Sequence, residues 1–290
     1  MAGWNRTLHT KEAEVHIRHS GRRLIALSIA SALLLPTAPL LAPASPASAS
    51  VHLPPAGGVP DYQLGGAYEP DPAVTIVARD RREKPAQGRY SICYINGFQT
   101  QPGERRIWPK STLLRHRGKL LHDPGWPDEI LLDTSTAAKR KRIARILNRW
   151  IERCATDGFQ AVEFDNLDSY TRSKKHLKLR HNIALAKRLV RTAHRHGLAA
   201  GQKNTAEASR RAKREARFDF AVTESCARWN ECRSYTKVYG ARVIDIEYAD
   251  ETSAARFAGY CARAGAPRSM VLRDHDLVAR GGSGYVFRLC

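Results

Sequence analysis

The sequence predicts an α/β fold of the (β/α)8 TIM-type barrel class, built as a single domain. Three observations carry this. Short apolar runs alternate with amphipathic stretches, which implies parallel strands joined by helices. About eight such repeats fit into the 241 residues after position 49, a length that suits a closed barrel. No G-x-G-x-x-G follows any candidate strand, so an open dinucleotide-binding sheet loses its main support.

Residues 1–49 stand apart from the fold. Arg22 and Arg23 precede an apolar run from Leu24 to Leu35, and a Pro-rich, small-residue stretch ends at Ala47-Ser48-Ala49. A basic start, a short apolar segment and an A-x-A site read as a secretory signal peptide. The apolar run is too short for a bilayer core of about 30 Å. A secreted, extracellular chain is therefore expected. Residues 50–60 are rich in Pro and Gly and read as a linker or N-terminal arm, leaving 61–290 for the barrel domain.

The candidate strands are Tyr62–Gly65, Val74–Ala78, Tyr90–Asn96, Glu129–Asp133, Ala161–Asp165, Leu198–Gln202, Phe218–Glu224, Arg242–Glu247, Ser269–Leu272 and Gly284–Leu289. The clearest helix runs from Thr136 to Cys154, with Ile143, Ile146, Leu147, Trp150 and Ile151 on one face and Lys139, Arg140, Arg145, Arg149 and Arg153 on the other. A second spans Ser173–His196 and stops at Gly197, and a third spans Glu251–Ala264.

All six cysteines follow position 49, and an even count in an exported chain argues for disulfides. Six cysteines allow fifteen pairings. Short spacing favours Cys226 with Cys232. Cys261 with Cys290 would tie down the C-terminus, and Cys93 with Cys154 then remains. No C-x2-C or H-x3-H pair is present, and neither metal nor cofactor is expected.

Acidic residues gather where predicted strands end, the face on which barrel enzymes carry their chemistry. Asp133, Asp165, Glu224 and Glu247 all sit there. In the run 161–165, Val162 and Phe164 share the face toward the helices, while Glu163 and Asp165 point inward. Asn166 and Asp168 follow in the loop above. Asp168 alone would be explained by capping the next helix, and Glu224 alone by an arginine partner. Together, Asp165 and Glu224 supply the two carboxyls that glycosidic cleavage requires, one to protonate the leaving oxygen and one to attack or to activate water. Tyr94 and Asn96 end another strand, Trp108, Trp126 and Tyr248 lie in loops, and rings and amides of this kind suit sugar binding. Tyr94, Asn96, Asp133, Asn166, Asp168, Glu247 and Tyr248 are accordingly the expected substrate contacts.

Four stretches carry a family resemblance: Asp61-Tyr62-Gln63-Leu64-Gly65-Gly66-Ala67-Tyr68, Cys93-Tyr94-Ile95-Asn96, Gly158 through Asp168, and Ala221 through Cys226. Over about residues 60–290 the chain resembles the endo-α-1,4-polygalactosaminidases of glycoside hydrolase family 114. The resemblance implies a polysaccharide substrate, Asp165 and Glu224 as the catalytic pair, and Asp61 at the rim near substrate. Two positions depart from the family pattern: Gln160 stands where Asp is usual, and Glu163 where a neutral residue is common.

The whole chain carries +20, and since the first 49 residues hold five Lys/Arg and two Asp/Glu, the remainder carries +17. The basic residues sit mostly on helix faces, which a barrel turns outward, so an anionic cell-wall surface is a possible partner. No nucleic-acid-binding motif accompanies the charge, and a monomer with no specific nucleic-acid partner is expected. Two other classes compete: a non-catalytic barrel that binds polysaccharide or an anionic polymer, and a metal-dependent barrel phosphodiesterase. The second needs clustered His, Asp and Glu, whereas His194, His196 and His275 are scattered.

Overall fold

The computed structural model describes residues 50–290, and the predicted signal segment lies outside them. Residues 50–59 form no regular element but are tied down, with Tyr90 donating to the His52 carbonyl at 2.7 Å and the Gly57 N–H to Ala241 O. The elements that follow are β1 (Pro60–Gln63), β2 (Ile76–Asp80), β3 (Tyr90–Asn96), a small hairpin of β4 (Arg115–His116) and β5 (Lys119–Leu120), α1 (Ala137–Asp157), β6 (Ala161–Asp165), α2 (Leu179–Arg195), β7 (Ala199–Lys203), the short α3 (Ser209–Arg211), β8 (Phe220–Glu224), α4 (Cys232–Tyr239), β9 (Val243–Tyr248), α5 (Ala254–Cys261), β10 (Ser269–Arg273) and β11 (Phe287–Leu289).

Eight strands pair in parallel in the order β1-β2-β3-β6-β7-β8-β9-β10, and β11 adds to β10 antiparallel. One buried cluster takes side chains from all eight parallel strands, among them Tyr62, Ile76, Ile92, Ala161, Ala199, Phe220, Ile244 and Val271, so the sheet curls around it. Gly201 makes room inside: a Cβ there would lie 2.6 Å from the Phe220 ring. At the two ends of the parallel run, the buried Arg273 of β10 reaches Asp61 on β1 at 3.0 Å and also donates to the Tyr62 carbonyl.

A second apolar layer lies outside the sheet. Ile143, Ile146, Leu147 and Ile151 of α1 and Ile183, Leu189 and Val190 of α2 pack with Val162 and Phe164 of β6. Each such side chain contributes about 1.5–3 kcal/mol by leaving water. Thr136 caps α1 by accepting from the Lys139 N–H, and Gly158, at φ 97°, ends it. α2 starts later than its apolar pattern predicts because Lys174 and Lys175 take positive φ, which no right-handed helix admits. α5 likewise starts after Ser253, whose side chain caps it.

Helices follow β3, β6, β7, β8 and β9, but only irregular loops join β1 to β2 and β2 to β3. One expected barrel strand is absent. Glu129–Asp133 makes isolated antiparallel bridges with loop residues, Ile130 with His122, Leu131 with Gln99 and Leu132 with Leu113. It has no slot in the sheet, because β3 pairs directly with β6, Asn96 opposite Asp165. Of Gly284–Leu289 only the last part is strand, and it runs antiparallel. Disulfides join Cys93 to Cys154, Cys226 to Cys232 and Cys261 to Cys290.

Candidate active site

Three neighbouring strands end on charged side chains: β6 on Asp165, β7 on Lys203 and β8 on Glu224. The next residue in each case takes a left-handed backbone, Asn166 at φ 65°, Asn204 at φ 49° and Ser225 at φ 56°. Asparagine tolerates that region, but serine holds it only where its surroundings insist. Here the Ser225 N–H is fixed to Ile246 O at 2.8 Å. These turns halt the chain at the rim and leave the preceding side chain at the cleft floor.

Lys203 organises the floor. Its buried ammonium lies 3.3 Å from Glu224 Oε2 and 3.9 Å from Asp165 Oδ1. Those two oxygens are thus at most about 7 Å apart, a span across which paired carboxyls can work on one glycosidic bond. Tyr94 donates to Asp165 Oδ2 at 2.8 Å, and the Asn166 N–H to Oδ1 at 2.7 Å. Tyr248 donates to Glu224 Oε1 at 2.5 Å, while Asn204 and Glu224 exchange two hydrogen bonds of 2.9 Å. His275 stacks on Tyr248 with ring centroids 4.2 Å apart. Both carboxyls are thereby held in one orientation.

Burial disfavours the charged form of Lys203, but Asp165, Glu224 and Glu163 outweigh it and keep the ammonium protonated far above the usual lysine range. Burial pushes the Asp165 carboxyl up. Lys203 opposes this, Glu224 adds to it, and the outcome is a raised value. Burial pushes Glu224 up as well, yet Lys203, Tyr248 and Asn204 together hold it below the ordinary glutamate value. Burial and the shared Lys203 thus drive the proton affinities of the two carboxyls apart, Asp165 upward and Glu224 downward, and the two titrate as a pair.

These groups open into a cavity of about 690 Å3. Eight carboxyls line it, those of Asp80, Asp123, Glu129, Asp165, Asp168, Glu224, Glu251 and Asp276, against the cations Arg82, Arg172 and Lys203. Within a chain of net charge +20 the cleft is therefore acidic. Trp126 and Trp229, 60% and 61% exposed, contribute two open rings. Glu129 accepts from Asn96 and Gln99, and burial raises its carboxyl to about 7. Arg172 ties the wall together, binding Asp123 at 2.5 Å, Asp168 at 2.7 Å and Asn166 at 2.9 Å.

Six expected residues meet in this cleft: Asp165, Glu224, Tyr94, Asn166, Asp168 and Tyr248. Four others do not line it. Asp61 is buried in its ion pair with Arg273. Asn96 is covered, spending its amide on Glu129 and its carbonyl on the Gln99 N–H. Asp133 belongs to no strand and is held by Lys139 and Ser135. Glu247 faces away from the cleft, accepting the Ala227 and Arg228 N–H groups. Trp108 is core, packed edge-on against Trp150. Lys203, Asn204, Glu129 and Trp229 were not anticipated, although Lys203 directly follows a predicted strand and obeys the same strand-end rule.

Among the described residues one group has metal-like geometry, Cys226, Cys232 and Asp245. Its two sulfurs are bonded to each other, which removes both as thiolate ligands.

A model of glycoside-hydrolase family GH114 matches residues 41–290. No curated protein matches the chain by sequence. Among solved structures it is similar to Ega3 of Aspergillus fumigatus, determined in complex with galactosamine, at TM-score 0.69 and 21% identity, covering 83% of this chain and 98% of that one. It is also similar to the glycoside hydrolase domain of PelA from Pseudomonas aeruginosa, at TM-score 0.57 and 15% identity, covering 78% and 98%. At these identities the two structures speak for the fold.

Proposed function

Because the chain belongs to glycoside-hydrolase family GH114 and is thus a glycoside hydrolase, we propose that it cleaves α-1,4-linked galactosaminide-type polysaccharide with Asp165 and Glu224 as its acid/base pair. On this proposal the curled sheet is a barrel of the (β/α)8 type, with the pair on its C-terminal rim. The observation that supports this most is the pair itself: two carboxyls of unequal proton affinity, linked by one ammonium, at the floor of an open cleft.

Cleavage needs a proton on the glycosidic oxygen and electron density at the anomeric carbon. The protonated member donates to the departing oxygen, and the ionised member attacks the anomeric carbon or takes a proton from water. Lys203 remains charged throughout. The acid excess of the cleft suits a polymer whose unacetylated amines are protonated, since the carboxyls at the walls attract the ammonium groups. The galactosamine in the Ega3 structure is a sugar of this chemistry.

We place the enzyme outside the cell, in keeping with three disulfides in its described part, and take it to act as a monomer. Exposed Lys141, Arg142, Arg145 and Arg149 on α1, with Lys187, Arg188 and Arg191 on α2, form a basic outer surface suited to an anionic cell-wall polymer. The substrate reading is tested by incubating the protein with partly deacetylated and with fully N-acetylated galactosaminogalactan. Oligosaccharides released faster from the deacetylated polymer are expected, and equal or inverted rates would overturn the amine preference.

A further inference from the structure

Glu163 lies on β6, two residues before Asp165, and is fully buried beneath the cleft floor. Tyr62 donates to its Oε1 at 2.5 Å, while its Oε2 has no partner among the described residues. Tyr62 in turn accepts from the Lys203 ammonium at 2.9 Å. That ammonium stands 3.7 Å from Glu163, comparable to its distances from the two rim carboxyls. One cation thus serves three carboxyls, two that face the cleft and one that does not.

We propose that Glu163 is a positioning residue for the Asp165–Glu224 pair: through Lys203 and Tyr62 it draws the ammonium's charge partly away from the rim, and so keeps a proton on the pair at neutral pH. This rests on reading that pair as the catalytic one. The groups facing Lys203 from the surrounding strands are Tyr62, Tyr94, Glu163, Asp165, Glu224 and Tyr248. The tyrosine hydroxyls stay neutral, since burial raises all three. Glu163 therefore supplies the only charge in the set that varies without facing substrate.

The direction of the effect follows from electrostatics. Burial, against Lys203 and the Tyr62 hydrogen bond, brings the Glu163 carboxyl to about 7. Below that pH Glu163 is neutral and the full ammonium charge favours ionised rim carboxyls. Above it, the Glu163 negative charge competes for Lys203 and repels the rim, so the pair holds its last proton to higher pH.

The test is the pH profile of kcat/KM for Glu163→Gln, which keeps the neutral form at every pH. The alkaline limb should move down by about half a pH unit or more, with the acid limb and KM unchanged. Tyr62→Phe should shift the same limb in the same direction, because Glu163 loses the donor that favours its ionised form. Lys203→Met should move both limbs up. A role in packing alone would lower the melting temperature and leave the limbs in place. Carboxyl 13C NMR titration of Asp165 and Glu224 without substrate reads the same shift independently of turnover, so a failure to hydrolyse the tested polymer would not decide this question. Superimposable titrations of wild type and Glu163→Gln would overturn the proposal. If Glu163→Gln does not fold, Tyr62→Phe decides alone.

Discussion

Buried charge costs free energy unless it is paired, and three residues here show how differently that cost is met. Arg273 and Asp61 pair completely, both out of solvent. Arg273→Met should strand the carboxylate and lower stability by about 3–5 kcal/mol, read by urea denaturation, and Arg273→Met with Asp61→Asn should recover part of that loss. Glu163 is only partly compensated and stays protonated to about 7. Its folded value lies above the ordinary 4.5, so the stability it contributes is complete below about 4.5 and lost as pH rises through 7. Glu163→Gln, neutral throughout, should gain on wild type by about 3 kcal/mol between those limits. Chemical denaturation across that range checks it, and a constant difference with pH would contradict the assignment.

At the scale of elements, register decided what could be read beforehand. The period-2 pattern of β6 correctly turned Val162 and Phe164 to the helices and Glu163 and Asp165 inward, because side-chain phase depends only on alternation. The same logic fails when a boundary slips by one residue. β9 ends at Tyr248, so its inward phase falls on Ile244, Ile246 and Tyr248, and Glu247 looks outward. β7 extends to Lys203, one residue past its predicted end, which hid the central cation. The apolar run 129–133 looked like a strand because composition cannot distinguish a sheet member from a loop segment that forms single bridges. Packing inside the sheet yields a further prediction. Gly201→Ala would set a methyl against the Phe220 ring, and since overpacking costs about 1–3 kcal/mol, the melting temperature should fall. Gly201→Ala with Phe220→Leu should recover much of the difference.

Across the whole molecule charge is divided: an acidic cleft on one end of the strands, and basic helices on the outside. The basic surface does not prevent approach of a cationic polymer, because screening confines its repulsion to about 10 Å at moderate salt. The loop closed by Cys226–Cys232 begins two residues after Glu224, and Cys93–Cys154 links β3 to α1 across 61 residues. Reducing all three bonds should destabilise the protein by at least about 2–5 kcal/mol, which thermal melts with and without reductant will check. The most direct test of the account is product release from galactosamine-type polysaccharide by wild type, Asp165→Asn and Glu224→Gln, with circular dichroism to verify folding. Oligosaccharides from wild type and at least about a thousandfold less from each folded variant are predicted, the loss expected when an acid or nucleophile is removed. A folded variant of either carboxyl that retained wild-type activity would contradict the central claim.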